Sequence, residues 1–270
     1  MLQEERQKKI MEYLQHHGTL RVTDLVERLG VSRETVRRDL QELEHQGVLR
    51  KVHGGAILTR TGVEPTFAVR RTTNIKEKEA IGRAAAGLVE DGDTIFLDLG
   101  TTALEVARHL RGRGRITVVT NSVQAALELI DDEAINVYLT GGMLRSGDLS
   151  LSGRFARHML AQFYVDKAFI GVAGISLAGD LTDFHVEEAE VRNMMIERAK
   201  EVIVVADHSK FGVTAFTRVS ALTAVHRIVT DAGTDPEQIF MIRSLGVEVF
   251  TVPIPCEEGK HNHVQTDEEV

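Results

Sequence analysis

Cysteine is almost absent from this chain of 270 residues, because Cys256 is the single one. A lone cysteine excludes an internal disulfide. The sequence also lacks a cluster of cysteines and histidines at metal-ligand spacing. His261 and His263 lie close together, but two histidines without a third ligand are weak evidence for a metal site. We therefore predict no disulfide, no metal and no cofactor, and a reducing compartment as the location.

Long hydrophobic runs are missing as well. No uninterrupted apolar stretch approaches the roughly 18 residues that a membrane helix requires. The N-terminus, MLQEERQKKI, is charged where a secretory signal would be apolar. Hydrophobic residues still make up 43% of the chain, which is enough for a substantial core. These features predict a soluble, cytoplasmic protein with no membrane partner.

Positive charge is in deficit overall, since 32 Lys and Arg face 40 Asp and Glu, a net charge of −8. The deficit is uneven along the chain. Residues 1–60 hold 11 basic and 9 acidic residues, a net of +2, so the other 21 and 31 leave −10 for the rest. This asymmetry indicates a small module that meets a polyanion, joined to a larger one that does not.

Three consecutive helical patterns open the chain. Apolar residues recur at helical spacing in each, and each is flanked by a capping or stop signal. These signals are Gly18 after the first helix, Thr23 and Gly30 around the second, and Ser32 and Gly47 around the third. Helix, tight turn and helix form the helix-turn-helix arrangement, whose second helix lies in the DNA major groove. The run VLRKVHGGAIL then predicts two short strands around a turn, which make a wing.

Arginines are concentrated in the third helix, VSRETVRRDL. Arg38 lies four residues from both Glu34 and Glu42, a spacing that also fits a surface charge ladder worth a few tenths of a kcal/mol per pair. Arg33 and Arg37 have like charge at that spacing, which an external anion such as DNA phosphate explains better. Arginine also presents a planar fork to guanine. The predicted DNA-binding residues are Ser32, Arg33, Thr35, Arg37, Arg38, Arg50, Lys51 and His53.

The run from residue 6 to residue 56 resembles the DNA-binding domain of the DeoR family of bacterial transcriptional regulators, particularly in VSRETVRRDL, LEHQGVL and RKVHGGA. The resemblance implies that the helix at 32–46 enters the major groove, and that the paired arginines and the wing hold the DNA. It does not say which residue reads which base. We assign residues 1–57 to this winged helix-turn-helix domain.

The rest of the chain predicts an α/β architecture, so that the winged helix-turn-helix is followed by a doubly wound, mostly parallel α/β effector domain at 75–252. Residues 58–74 lack clear periodicity, contain Pro65 and are predicted as a linker. Residues 253–270 carry a surplus of acid and are predicted as a disordered tail. The predicted strands are TIFLD (94–98), ITVVT (116–120), INVYLT (135–140), KAFIGV (167–172), VIVVAD (202–207), RIVTD (227–231) and VEVFTV (247–252).

Polar residues follow four of these strands, at the sheet edge where ligands bind in such folds. Gly100, Thr101 and Thr102 open a helix and offer N–H groups, hydroxyls and a positive dipole end, which suit a phosphate. Several such loops at one edge favour a site for a small, anionic, hydroxyl-rich ligand, and a sugar phosphate fits best. The candidate effector-binding residues are Asp98, Gly100, Thr101, Thr102, Asn121, Ser122, Gly141, Gly142, Arg145 and Lys210.

Each loop taken singly also has an ordinary structural explanation. Thr102 or Ser122 fits the role of a simple N-cap. Gly141 and Gly142 fit a turn, and Lys210 fits a solvated surface lysine. The prediction of a site therefore depends on the co-location of the loops and not on any one of them.

The same segments resemble the effector domain of DeoR-family regulators, in FLDLGTT, VVTNS, LTGGMLR and VIVVADHSKFG, so the resemblance extends to about residue 252. That domain is similar to ribose-5-phosphate isomerase, and the family implies a phosphorylated sugar intermediate as effector. The segment implied to hold phosphate is 100–102, and the residues implied to lie near the ligand are Asp98, Asn121, Arg145 and Lys210.

A sugar-phosphate isomerase-like enzyme is the alternative, and it would need carboxylates as acid and base. The segment DKAFIGVAGIS has apolar residues where the isomerase signature has acidic ones. Glu187, Glu188 and Arg192 downstream fit an exposed charged helix face. We therefore predict a non-enzyme: a transcriptional repressor of sugar metabolism genes, controlled by a phosphorylated sugar. We expect it to bind repeated half-sites in operator DNA as a homo-oligomer, a dimer or tetramer.

Overall fold

The structure, a computed structural model, describes residues 2–17, 19–45, 49–52, 54–58 and 64–254. Most of the predicted tail, from residue 255 on, lies outside this set, and so do Cys256, His261 and His263. Within the described residues, no helix combines the length and the apolar character needed to cross a membrane.

The N-terminal domain packs helices against a small antiparallel sheet in which β3 lies between β1 and β2. Ile10, Leu14, Leu25, Leu40 and Leu49 are buried at its centre. The winged helix-turn-helix predicted from the sequence is therefore confirmed. Its elements are α1 (Gln3–His17), β1 (Thr19–Arg21), α2 (Val22–Leu29), α3 (Arg33–His45), β2 (Leu49–Val52) and β3 (Gly55–Leu58).

Two of the predicted helix boundaries are confirmed, and one is wrong. Gly30 ends α2 in the left-handed conformation, with φ at 64°. The Ser32 hydroxyl accepts a hydrogen bond from the Thr35 backbone N–H at 3.1 Å and so caps α3. The Thr23 cap is wrong: the Thr23 hydroxyl bonds Asp24 instead, and α2 begins one residue earlier, directly from strand β1. Gly18 and Gly47 lie outside the described residues.

The larger domain is built on a seven-stranded parallel sheet with the order β15-β14-β12-β9-β4-β5-β6. All seven strands predicted from the sequence are present in it. The strands of this domain are β4 (Thr94–Leu97), β5 (Ile116–Thr120), β6 (Ile135–Leu139), β7 (Met143–Arg145), β8 (Ser150–Ser152), β9 (Val165–Ile170), β10 (Gly174–Ile175), β11 (Asp180–Asp183), β12 (Ala199–Val205), β13 (Thr217–Ala221), β14 (Arg227–Asp231) and β15 (Glu248–Val252).

Helices cover both faces of this sheet, as the doubly wound prediction requires. Successive residues of a strand point to opposite faces, so Ile95 and Leu97 pack into one core while Phe96 packs into the other. The first core is closed by α5, α6 and α7, and the second by α8, α9 and α10. The helices are α4 (Phe67–Thr72), α5 (Ile75–Ala86), α6 (Thr101–Leu110), α7 (Val123–Leu129), α8 (Arg154–Leu160), α9 (Val186–Glu197) and α10 (Pro236–Ser244).

Three features of this domain differ from the predictions or were missed. A small antiparallel sheet of β10, β11 and β13, and a hairpin of β7 and β8, consist of strands of two to five residues that lack the continuous apolar run of the parallel strands. Helix α4 lies inside the predicted linker. Its six residues give little periodicity, and a tertiary contact holds its end: the Lys78 ammonium donates to the carbonyl oxygens of Arg70 and Thr73 at 2.5 and 2.7 Å.

Two phenylalanines of this domain differ in burial, so replacing them should change its free energy of unfolding by different amounts. Phe169 is fully buried in the central strand β9, whereas Phe240 on α10 is 76% exposed. We expect Phe169→Ala to lower the free energy of unfolding of this domain by about 3–5 kcal/mol, because it leaves a cavity. Phe240→Ala should change it by less than about 0.5 kcal/mol. Urea denaturation followed by circular dichroism measures both, and equal losses would contradict the described core.

Candidate functional site

Helix α3 presents three exposed arginines on the surface of the N-terminal domain. Arg33, Arg37 and Arg38 are all exposed, and among the described residues none of their guanidinium groups has a hydrogen-bond or ion-pair partner. In particular, Arg38 is not paired with Glu34 or Glu42. The charge ladder that offered an alternative explanation of Arg38 is therefore not formed.

The opposite face of α3 is anchored in the core. Val36, Leu40 and Leu43 are buried and form the inward face of the helix. Arg6 on α1 also contacts the buried Asp39 on α3, with 2.7 Å between Nε and Oδ2. Because packing and this ion pair hold one side of the helix, the arginines have a defined direction toward solvent.

The other predicted DNA-binding residues have more varied surroundings. Thr35 is half-buried, and its hydroxyl lies 2.8 Å from that of the capping Ser32. Lys51 on β2 is exposed, and its ammonium lies 3.8 Å from Glu44. Arg50 lies on β2, paired in register with Ile57 of β3. His53 lies outside the described residues.

A pocket opens at the carboxyl-terminal edge of the parallel sheet, where the loops after β4, β9 and β12 meet. It encloses about 30 Å³, which is room for about one water molecule. Four of the predicted effector-binding residues line it, together with two residues from the segment before and within α4. The polar residues of the lining are Glu64, Arg70, Thr101, Thr102, Asp183, Arg192 and Lys210, and Gly100 lines it as well.

The amino terminus of α6 forms one wall of this pocket. Gly100 precedes the helix with φ at 118°, a conformation that favours glycine, and no side chain caps the helix. The first backbone N–H groups of α6 are therefore left without a side-chain acceptor. Thr101 and Thr102 add hydroxyls at the same place. Such a helix terminus attracts an anion through its N–H groups and its dipole.

Lys210 lies in the loop after β12 and is half-buried against the pocket. Its ammonium has neither a hydrogen-bond nor an ion-pair partner among the described residues. Burial lowers the pKa of Lys210, and the nearby Asp207 opposes that shift. Asp207 itself accepts from the Ser209 backbone N–H at 3.0 Å, so it holds the loop.

Asn121, at the end of β5, is fully buried, and neither its amide nitrogen nor its amide oxygen has a hydrogen-bond partner. It directly follows Thr120, which is paired in register with Leu97 of β4, so it lies beside Asp98. A buried amide without partners normally has a water or a ligand to bond. Asn121 does not line the pocket as it stands.

The remaining predicted residues have structural roles in this state. Ser122 caps α7, because its hydroxyl accepts from the Ala125 backbone N–H at 3.2 Å. Gly141 and Gly142 lead into the β7–β8 hairpin, and a Cβ on Gly142 would lie 2.3 Å from the Ser152 carbonyl oxygen. These three residues do not line the pocket.

Beneath the pocket, one buried arginine joins three buried carboxylates. Arg192 Nε lies 2.6 Å from Asp98 Oδ2, and its Nη1 contacts Asp183 and lies 3.8 Å from Glu188 Oε2. The interpretation of Glu188 and Arg192 as an exposed charged face is wrong, since they are only 2% and 4% exposed. Burial raises the pKa of both Asp98 and Glu188, and Arg192 opposes these shifts.

A second ion-pair cluster is centred on Arg145 and borders the pocket at Glu64. This arginine contacts Glu64 at 3.1 Å, Glu188 at 2.9 Å and Asp148. Arg145 therefore holds carboxylates of the protein here and does not line the pocket. Arg70 shares two of these acids, Glu64 at 3.0 Å and Asp148 at 3.5 Å.

The sequence analysis missed Glu64, Arg70 and Arg192. Glu64 and Arg70 lie in the segment predicted as a linker, where charged residues without periodicity indicate nothing specific. Arg192 does stand four residues after Glu188, but its partner Asp98 is on another element of the chain. Only the fold brings these residues to one place.

Two domain families match this chain. The DeoR-like helix-turn-helix domain matches residues 6–61, and the DeoR C terminal sensor domain matches residues 73–232, more than half of the chain.

Similar proteins align over nearly their whole lengths. The HTH-type transcriptional repressor GlcR of Bacillus subtilis is 40% identical over 263 residues, 96% of this chain and 100% of its own. The glycerol-3-phosphate regulon repressor of Escherichia coli is 35% identical over 232 residues, 86% of this chain and 92% of its own.

Among solved structures, ribose 5-phosphate isomerase A of Methanocaldococcus jannaschii is similar over 52% of this chain and 55% of its own, with 22% identity and a TM-score of 0.39. The two domain matches and the identity to the bacterial repressors show the family. This chain belongs to the DeoR family of transcriptional regulators, with an N-terminal domain that binds DNA and a C-terminal sensor domain that binds an effector.

Proposed function

We propose that this protein is a cytoplasmic repressor of sugar metabolism genes that binds operator DNA through α3 and the wing and is controlled by a phosphorylated sugar. The names of its relatives support the direction of regulation, since GlcR and the glycerol-3-phosphate regulon protein are both named repressors. The second name also pairs repression with a small phosphorylated compound.

The pocket at the start of α6 carries the proposal of a phosphorylated effector. An uncapped helix terminus, two threonine hydroxyls and the unpaired ammonium of Lys210 face one space. All of these groups are donors, and a phosphoryl group is an acceptor that can take bonds from several of them at once. A neutral ligand would leave the half-buried Lys210 ammonium without an ion-pair partner in contact with it, which is costly.

The sugar part of the effector finds partners at the neighbouring strand end. Asn121 has an unpaired amide oxygen and an unpaired amide nitrogen, which suit a hydroxyl that both donates and accepts. Opening of the pocket by the width of a sugar would bring this amide into contact with the ligand. The α6 terminus therefore suits the phosphoryl group of a hydroxyl-rich phosphate ester, and the Asn121 amide suits one of its hydroxyls.

On the DNA side, the fixed orientation of α3 supports major-groove binding. Its buried face is held by the core and by Arg6, so Arg33, Arg37 and Arg38 reach a ligand without reorganising the helix. Arginines that have no partner in the protein are available to phosphates or to guanine. One winged helix neutralises few phosphates, so we infer that a homo-oligomer, a dimer or tetramer, spans repeated half-sites.

Catalysis is not part of the proposed function. Asp183 lines the pocket and Asp98 lies at the end of β4, just before α6, and both are held by Arg192. In each carboxylate an oxygen is occupied by the Arg192 guanidinium and is not free to abstract a proton from carbon. We therefore favour effector binding over an isomerase-like reaction.

The central test is fluorescence anisotropy of the full-length protein on DNA from its own upstream region, titrated with a panel of phosphorylated sugars at fixed salt. We expect one compound to release the DNA with a coupling free energy of about 1–3 kcal/mol. Its dephosphorylated form should have no effect. DNA binding that responds to no phosphorylated compound would contradict the proposed control, and no binding at all would contradict the operator assignment.

For the DNA-binding surface, we predict that Arg37→Ala weakens operator binding by about 1–3 kcal/mol per half-site, because α3 loses one contact to the DNA. If Arg37 contacts phosphate, the slope of log K against log salt should also fall by about 0.9. Arg111→Ala removes an exposed arginine of the sensor domain and is the matched control. Equal operator affinity of the two variants would show that α3 does not lie on the DNA.

For the effector pocket, we predict that Lys210→Ala weakens binding of the compound found in the panel by about 1.5–3 kcal/mol, because a charged hydrogen bond is lost. DNA affinity without effector should not change. Lys200→Ala, at a side chain that is 78% exposed, is the control. Isothermal titration calorimetry compares the three proteins, and unchanged affinity for Lys210→Ala would remove this residue from the site.

A further inference from the structure

The carboxylate of Glu64 occupies a ring of three basic side chains. Its Oε1 lies 3.0 Å from Arg70 Nη2, and its Oε2 lies 3.1 Å from both Arg145 Nη1 and His185 Nε2. Both oxygens are therefore bonded, and the Glu64 side chain is only 16% exposed. A carboxylate held in this way stands in for any small oxyanion, since carboxylate and phosphoryl oxygens accept from the same arginine donors.

Glu64 also closes the effector pocket described above. Glu64 and Arg70 line the same space as the α6 terminus and Lys210. With Glu64 in place, the space holds about one water molecule, which is far less than a sugar phosphate requires. Much of the remaining lining belongs to the strand ends and the start of α6, which the sheet and its two cores hold rigidly. Glu64, by contrast, precedes α4 and lies outside regular secondary structure.

The two arginines keep other partners when Glu64 leaves. Arg145 retains Asp148 and Glu188, and Arg70 retains Asp148. Displacement of Glu64 would therefore free donors of Arg70, which lines the pocket, and of Arg145 behind it, without leaving either arginine unpaired. The exchange of one anion for another at these donors costs little compared with opening a fully buried ion pair.

We propose that Arg70, Arg145 and His185 form an anion subsite, that the Glu64 carboxylate is its resident occupant in the ligand-free protein, and that an anionic group of the effector displaces it. This inference rests on the proposed function, because it assumes that the effector enters the same pocket. It adds a second anion-binding position, which borders the same pocket at Arg70, and a carboxylate of the protein itself that competes for it.

The displaced residue has a position in the chain that suits signalling. Glu64 stands three residues beyond the end of the helix-turn-helix match at residue 61. Arg70 also holds the next residue, since its Nε donates to the Pro65 carbonyl oxygen at 3.1 Å. Helix α4 stays anchored at its far end by Lys78, whose pKa is lowered by burial to about 8. Release of Glu64 therefore loosens the described residues that lead into α4 while α4 remains in place.

The test compares Glu64→Gln with Glu79→Gln, which removes one carboxylate from an exposed position on α5. Inorganic phosphate is the probe, and its affinity for each full-length protein is measured by isothermal titration calorimetry. If Glu64 occupies the subsite about nine-tenths of the time, Glu64→Gln should bind phosphate about tenfold more tightly than wild type. Glu79→Gln should bind it as the wild type does.

Hydrogen exchange gives a second measurement, which can be made on the wild type as well as on Glu64→Gln. Saturating phosphate should accelerate exchange of the backbone amides of residues 66–69 in the wild type, and Glu64→Gln should show this faster exchange without phosphate. Slower exchange there on adding phosphate would overturn the inference, because the segment would then close over the ligand with Glu64 in place. Phosphate affinity unchanged by Glu64→Gln, or absent from both proteins, would overturn it as well.

The two proposals fail in distinguishable ways. If no phosphorylated sugar alters DNA binding, the proposed function fails, whatever Glu64 does. If a sugar phosphate releases the DNA from wild type and from Glu64→Gln at the same concentration, the effector assignment stands. The proposal that the Glu64 carboxylate competes with the effector is then wrong.

Discussion

The sensor domain depends on one buried charge, the guanidinium of Arg192. Removing an arginine from water is costly unless carboxylates surround it closely, and here Asp98, Asp183 and Glu188 do so. These three acids come from the end of β4, the end of β11 and the same helix α9, so the cluster ties the large sheet to the small one directly below the pocket. Asp183 and Arg192 of this ion cluster line the same pocket as the α6 terminus and Lys210. The apolar cores on either face of the sheet could not by themselves specify this placement, because hydrophobic packing has no direction.

Charge is organised differently in the two domains. In the DNA-binding domain the important arginines have no partner within the described residues and face solvent, which leaves them available for a polyanion. In the sensor domain the arginines around the pocket, Arg70, Arg145 and Arg192, are partly or fully buried and paired with acids of the chain. An anion that binds the first surface replaces only solvent and counterions, whereas one that enters the second site must compete with a carboxylate. Only the second arrangement can report ligand binding through a displaced segment, which is the property expected of a sensor.

Much of the fold was predictable because its signals are local. Seven runs of β-branched and apolar residues each became a strand of the parallel sheet, and Ser32 and Gly30 mark the turn between α2 and α3 as the pattern indicated. Helix α4 has only six residues and shows no helical period, and β10 and β11 have no continuous apolar run of the kind that marks the strands of the parallel sheet. Thr23 was misassigned because strand β1, which pairs with β3 more than thirty residues later, extends to the start of α2.

For the site, the sequence by itself determined which loops carry donors and that they meet at one sheet edge, since parallel strands all end on the same side. It therefore predicted Gly100, Thr101, Thr102 and Lys210 as pocket residues. Only the tertiary structure decided that Arg145 binds acids of the protein instead, that Glu188 and Arg192 are buried, and that Glu64 reaches the basic ring. The physical reason is that an ion pair depends on distance in space, and Arg192 and Asp98, or Glu64 and His185, are separated by long stretches of chain that no local spacing records.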